Sequence, residues 1–266
     1  MKHVAKKYFG QNFLIDQSII ASLIDAIAPK PDDLMVEIGP GLGALTKPLI
    51  KKLKTLHLVE IDRDICAFMV KDYAKQYAEQ SLIIHNMDAL KYDFTSLGNN
   101  LRVTGNLPYN ISTPILFWLL KSVRSGQNSI VDMHFMLQKE VVERMVAMPS
   151  TPAYGRLSVM LQYHLAMEYL ITVPPEAFEP APKVESAFVR CVPHASLPFV
   201  AKDTALFAKI VMAAFGQRRK TIRNTLKAYL NDDDFAQLSL NTQLRAENLS
   251  VKDFVDISNF CTNRPN

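Results

Sequence analysis

The chain has 266 residues, of which 48% are hydrophobic and 21% charged, a balance that suits a globular protein with a sizeable core and excludes a disordered or fibrous one. Its 30 Lys and Arg against 26 Asp and Glu leave a net charge of +4, which permits a polyanionic partner without demanding one. Cys66, Cys191 and Cys261 are far apart, odd in number and form no CxxC pair, so a disulfide framework and a zinc site are both excluded as organising devices and no metal is expected.

The basic start MKHVAKKYFGQNFL contains no continuous apolar stretch, and the longest apolar run, Ile115 to Leu120, falls far short of the about 20 residues that cross a bilayer. A cytoplasmic location without membrane contact is the expectation. The first regular pattern, IIASLIDAIA at 19–28, has helical spacing and is stopped by Pro29 and Pro31. LMVEI then reads as a buried strand running into Gly39, Gly41 and Gly43, and ALTKPLIKKL as a helix despite Pro48.

The alternation continues. LHLVEID at 56–62, SLIIHNMDA at 81–89, LRVTGN at the start of 101–112 and IVDMHFMLQ at 130–138 read as strands, with helical stretches including PILFWLLKSV and KEVVERMVAM following. Such a pattern implies an α/β fold, a mostly parallel sheet with helices on both faces. A helix, YGRLSVMLQYHL, and two strands around the proline-rich loop VPPEAFEPAPKVESAFV follow, and these strands suit an antiparallel sheet edge. Beyond the loop-like stretch from Pro193 to Lys202 only helical spacing remains. The expected division is therefore residues 1–195 as a ligand-binding catalytic domain and 196–266 as a small all-α C-terminal domain.

Open α/β sheets bind ligands where their strands end. The glycine turn there begins with Glu37 and has the spacing ExGxGxG, not the GxGxxG that cradles a pyrophosphate. Gly39 and Gly41 therefore suit a ligand that approaches the backbone closely and carries adenosine and an amino acid but no phosphate. Glu60 at the next strand end can accept hydrogen bonds from two ribose hydroxyls, and Asp88, after the third, from the amino group of an adenine.

Asn106-Leu107-Pro108-Tyr109 follows the fourth strand. The Asn106 side-chain oxygen and the Leu107 carbonyl are placed to accept both N–H bonds of an adenine amino group, freeing a nitrogen lone pair otherwise delocalised into the ring. Pro108 fixes the backbone without adding a donor, and Tyr109 offers a face for an extruded base. Phe178, in a loop of five prolines, is either a second stacking surface or a core ring. From Val211 to Lys227, helical spacing puts Val211, Phe215, Ile222 and Leu226 on one face. Lys220, Arg223 and Lys227 fall on the other, and Arg218 and Arg219 complete the densest basic patch, suited to phosphates. Lys2, Lys6 and Lys7 add charge at the opposite end.

FGQNFL at 9–14, VEIGPGLG at 36–43, NLPYNIS at 106–112, MLQKEVVERMV at 136–146, FEPAPKVES at 178–186 and FGQRRKTIRNTL at 215–226 together resemble the KsgA (RsmA) family, the adenine N6,N6-dimethyltransferases of small-subunit (16S) ribosomal RNA, over essentially the whole chain. The resemblance implies a Rossmann-like S-adenosyl-L-methionine-dependent methyltransferase. It would place two methyl groups on each of two adjacent adenosines in a hairpin near the 3′ end of 16S rRNA, within the immature 30S subunit, and act as a monomer. It further implies that Asn12 and Leu14 close over the cofactor, that Gly39, Glu60, Asp88 and Asn106 contact it, that Asn106 to Tyr109 and Phe178 hold the target base, and that the C-terminal module meets rRNA. Glu185 and Glu179 depart from the Asp and the neutral residue common in that family. Two rivals stand beside this reading: a large-subunit (23S) rRNA methyltransferase of the macrolide-resistance type, whose target loop more often reads NIPY, and a non-catalytic ribosome assembly factor.

Overall fold

The computed structural model describes residues 12–124 and 130–263. They form two compact units: residues up to Val142 together with Glu168–Pro193, and Glu143–Met167 together with the chain from His194 onward.

The first unit is built on a sheet of seven strands among the described residues. In chain order these are β2 (Met35–Ile38), β3 (Leu56–Glu60), β4 (Leu82–Asn86), β5 (Leu101–Asn106), β6 (Ile130–Gln138), β7 (Leu165–Val173) and β9 (Ser186–Pro193), with spatial order β4-β3-β2-β5-β6-β9-β7. The first five pair in parallel, and β9 runs antiparallel to β6. After β2 the chain steps outward through β3 and β4, then returns to lay β5 on the other side of β2. The carboxyl ends of β2 and β5 thus flank a topological switch point, where such sheets open a crevice.

Two short strands, β1 (Phe13–Leu14) and β8 (Phe178–Glu179), pair antiparallel and bring the N-terminal segment to this unit. Helix α1 (Gln17–Ile27) starts where the Asp16 carboxylate accepts from the Ser18 and Ile19 N–H groups, and buries Ile20, Leu23, Ile24 and Ile27. It stops at Ala28, which is in the left-handed region at φ 47°, ahead of both prolines. The expected helix after the glycine turn shrinks to α2 (Thr46–Leu49). Pro48 has no N–H for the Ala44 carbonyl, and the Lys52 N–H bonds back only three residues, to Leu49. Helices α3 (Arg63–Asp72), α4 (Ala74–Ala78), α5 (Ser112–Arg124) and α6 (Lys139–Val146) follow.

The second unit holds α7 (Arg156–Gln162), α8 (Thr204–Phe215), α9 (Ile222–Thr225), α10 (Asp232–Gln237) and α11 (Val251–Thr262). Its core combines Tyr154, Val159 and Tyr163 with Phe207, Ile210, Val211, Leu226, Phe235 and Phe254. A division falls between Pro193 and His194, beside the expected one at 195, but the helical unit also takes in an earlier stretch that the sequence reading had left with the first domain. Residues 143–167 belong with the helical unit, because a module of 196–266 alone lacks Tyr154, Val159 and Tyr163, which complete its interior. The Tyr163 hydroxyl also accepts from the Ala201 N–H at 3.1 Å. Among the described residues no helix is long and apolar enough to cross a membrane.

Candidate active site

A cavity of about 890 Å³ in the first unit opens over the ends of β2, β3 and β5 and the segment after β4. Its lining includes Asn12, Leu14, Gly39, Gly41, Glu60, Asp88 and all four residues from Asn106 to Tyr109. Five segments of the chain thus converge on one concave surface, and ten of the sequence-derived site residues share it.

The glycine turn is shaped by contacts that a side chain would obstruct. Gly41 is at φ +54°, and a Cβ there would lie 3.1 Å from the Phe13 ring. The Gly39 N–H donates to the Val59 carbonyl at 3.0 Å, tying the turn to the end of β3. Gly105, not singled out from sequence, is required for another reason: a Cβ on it would sit 2.4 Å from the Ile38 carbonyl oxygen. Without a side chain there, β5 can run close to β2 right up to Asn106.

The acids differ in surroundings. Glu37 is 1% exposed, and its Oε2 accepts from the Thr46 hydroxyl at 2.7 Å. Burial pushes its carboxyl up to about 7, against the lowering by Thr46, and the neighbouring Glu60 charge adds to the rise. Glu60 is buried and its Oε1 accepts from the Asp62 N–H at 2.8 Å. The Asp88 Oδ1 accepts from the Leu90 N–H at 2.9 Å. Ile61 and Met87, 49% and 47% exposed, line the same cavity. Sequence reasoning passed over both, although an apolar residue beside each strand-end acid was the signal.

The Asn106 amide donates from Nδ2 to the Asn12 carbonyl at 3.1 Å, which fixes the amide's orientation and leaves its oxygen as an acceptor. Leu107 is buried and its N–H donates to Met136 at 3.2 Å. The Tyr109 hydroxyl is 2.7 Å from Ser186 Oγ on β9, and burial raises the pKa of the phenol against the lowering by Ser186. Phe178 resolves into the second of its two readings. It is 3% exposed, packs in the core with Leu14, Val173 and Phe188, and is not among the cavity-lining residues.

In the second unit, Arg218, Arg219, Lys220, Arg223 and Lys227 are all exposed, but not on one continuous helix. α8 ends at Phe215, and α9 begins only after Thr221, whose strand-like bridge to Arg245 holds the chain extended. Helical spacing extrapolated through Gly216 missed this break. Ile222 and Leu226 are buried as expected, whereas Arg223 is paired with Asp232 at 2.8 Å, leaving it less available to a phosphate. Lys2, Lys6, Lys7 and the first residues of FGQNFL lie outside the described residues.

Known proteins resemble this chain over nearly its whole length. A ribosomal RNA small subunit methyltransferase A of Methylobacillus flagellatus is 65% identical, the match covering 98% of this chain and 99% of that protein. The crystal structure of a dimethyladenosine transferase from Plasmodium falciparum matches with a TM-score of 0.77 at 25% identity, over 92% of this chain and 95% of that one. The crystal structure of the 23S rRNA methyltransferase ErmE shares the fold at 20% identity and TM-score 0.73, over 95% and 100%. The model of one family, described as ribosomal RNA adenine dimethylase, spans residues 2–263. With nearly the whole length matched and a switch-point cavity behind the NLPY turn, the chain belongs to the ribosomal RNA adenine dimethylase family.

Proposed function

We propose that this chain dimethylates the N6 amino groups of two adjacent adenosines in a hairpin near the 3′ end of 16S rRNA, in the immature 30S subunit, as a cytoplasmic monomer. The observation that carries this reading is the Asn106 amide, held through its nitrogen by the Asn12 carbonyl so that its oxygen is left to accept. S-adenosyl-L-methionine is the methyl donor and, when bound, supplies an activated methyl group on a sulfonium. The residues fit it: a glycine-walled cavity with Glu60 for the ribose, Asp88 for the adenine amino group, and Glu37, Glu60 and Asp88 as its acids. Asn12, Leu14, Gly39, Gly41 and Asn106 complete that contact surface.

The remaining chemistry belongs to the target loop. The Asn106 oxygen and the Leu107 carbonyl accept the two N–H bonds of the target amino group and bias its nitrogen toward a tetrahedral form. No strong base is required, because the attacking lone pair is exposed by geometry and the proton leaves after the nitrogen has become cationic. Pro108 holds the carbonyls in place, and Tyr109 supplies the stacking face. Stacking on Phe178 requires its ring to leave the core, so Tyr109 is the surface ready in this conformation. Arg218, Arg219, Lys220 and Lys227 serve phosphates, with Arg223 contributing once released from Asp232.

The test uses labelled cofactor and small subunits lacking these methyl groups. The native protein should yield dimethyladenosine at adjacent positions. Asn106→Ala should keep subunit binding while kcat falls about 10²- to 10³-fold, the range for removing one preorganised polar group. Dimethyladenosine absent with the native protein, or present at an undiminished rate with the variant, refutes the reading.

A further inference from the structure

The cavity wall is longer than the glycine turn and the strand-end acids. The cavity continues past the glycine turn to α2 and the turn after it, where Lys47, Lys51 and Lys52 form part of its wall together with Gln17, Ile20 and Ala21 of α1. All three lysines are exposed, and none is in an ion pair among the described residues. The next lysine along, Lys54, is outside the cavity lining and is paired with Asp32. Of these four lysines, the three without an ion pair are the three that line the cavity.

Charge is segregated along the wall. The acids Glu37, Glu60 and Asp88 come from the strand-end side, whereas the lining cations come from α2 and its following turn. A cationic sulfonium ligand suits the first region and an anion the second. Ile15 and Leu42, 48% and 38% exposed, also line the cavity and add apolar surface to the same wall. Such a combination of apolar floor and cationic rim matches a strand with stacked bases and a charged backbone.

We propose that Lys47, Lys51 and Lys52 form a second RNA contact, separate from the basic segment of the helical unit, that takes the phosphates of nucleotides flanking the extruded adenosine. The proposal rests on the RNA-methylating reading above. An extruded base at Asn106 and Tyr109 must remain joined to its neighbours, and the basic end of the same cavity supplies a track for them. Lysine acts there as a point charge on the backbone, so the contact adds affinity and register and no base specificity.

The experiment measures binding of unmethylated small subunits to the native protein, to a Lys47→Gln, Lys51→Gln, Lys52→Gln triple variant and to Lys54→Gln, between about 50 and 200 mM salt at fixed magnesium. S-adenosylmethionine affinity is measured alongside. Each lost phosphate contact flattens the log–log salt slope by about 0.7, so the triple variant should lose about 2 from the slope and bind about 10- to 100-fold more weakly near 100 mM. Lys54→Gln should match the native protein, and cofactor affinity should be unchanged throughout.

An unaltered slope in the triple variant overturns the proposal. So does weaker cofactor binding with an unaltered slope, which would assign the lysines to the cofactor's carboxylate. The underlying reading fails separately, if the native protein leaves the subunits unmethylated.

Discussion

At the scale of single residues, the aromatic side chain of the target loop is held by its own hydroxyl. Tyr109 is 2.7 Å from Ser186 Oγ, and Ser186 is fully buried at the first position of β9. A stacking face needs only the ring, so the hydroxyl's contribution is to fix where that ring stands. Ser186→Ala leaves the half-buried phenol without its partner, a cost of about 1 to 3 kcal/mol, and kcat should fall about 10-fold with little change in cofactor affinity. Tyr109→Phe removes the polar group together with its need for a partner and should be milder. Adding Ser186→Ala to Tyr109→Phe should then change little. Independent, additive losses in this double-mutant cycle would show that Ser186 acts through something other than Tyr109. Nothing near Tyr109 in the sequence points to Ser186. The loop and β9 are joined only by the fold, while Asn106, Leu107, Pro108 and Tyr109 were legible because their chemistry is contiguous.

At the scale of elements, one arginine ties several of them together. Arg102 on β5 donates from Nε and Nη2 to both carboxylate oxygens of Asp132 on β6, from Nη1 to Asp33 ahead of β2, and from Nη2 to the Ile27 carbonyl at the end of α1. Its side chain is 13% exposed, so the charges are shielded from solvent. Arg102→Met should cost about 3 to 5 kcal/mol by leaving two partly buried carboxylates without a counter-charge. Urea denaturation measures it, and a loss below about 1 kcal/mol would mean that water solvates the acids adequately. Replacing Asp132 with Leu in the same variant should recover part of the loss, since one uncompensated charge is then gone. The strands themselves were readable, because buried parallel strands are short apolar runs, and the first three led into Gly39, Glu60 and Asp88, whose chemistry was evident. Register and mutual ties were not. The pairing of Phe13 and Leu14 with Phe178 and Glu179, which brings Asn12 to Asn106, leaves no period in either short segment. The break between α8 and α9 was missed because apolar spacing stays in phase across it while Thr221 bridges to Arg245.

At the scale of the whole molecule, sequence order is a poor guide to which residues share a core. The proline-rich and loop-like stretches suggested one cut near residue 195, yet the helical unit draws Tyr154, Val159 and Tyr163 from well before it. Their rings and methyl groups meet Phe207, Ile210 and Val211 on α8, and the Tyr163 ring lies 4.6 Å from that of Phe207 between centroids. Local patterning marked a helix at α7 but could not say which core its apolar side chains join, since both units offer apolar partners. A fragment of residues 196–266 should therefore show little cooperative helix by circular dichroism, having lost the side chains that fill its centre. Adding a peptide of residues 143–167 in trans should restore a cooperative melting transition, and Tyr163→Ala in that peptide should abolish the gain. Cooperative folding of 196–266 alone, unaffected by the peptide, would mean that α8, α9, α10 and α11 bury enough surface among themselves, and the division near residue 195 would stand.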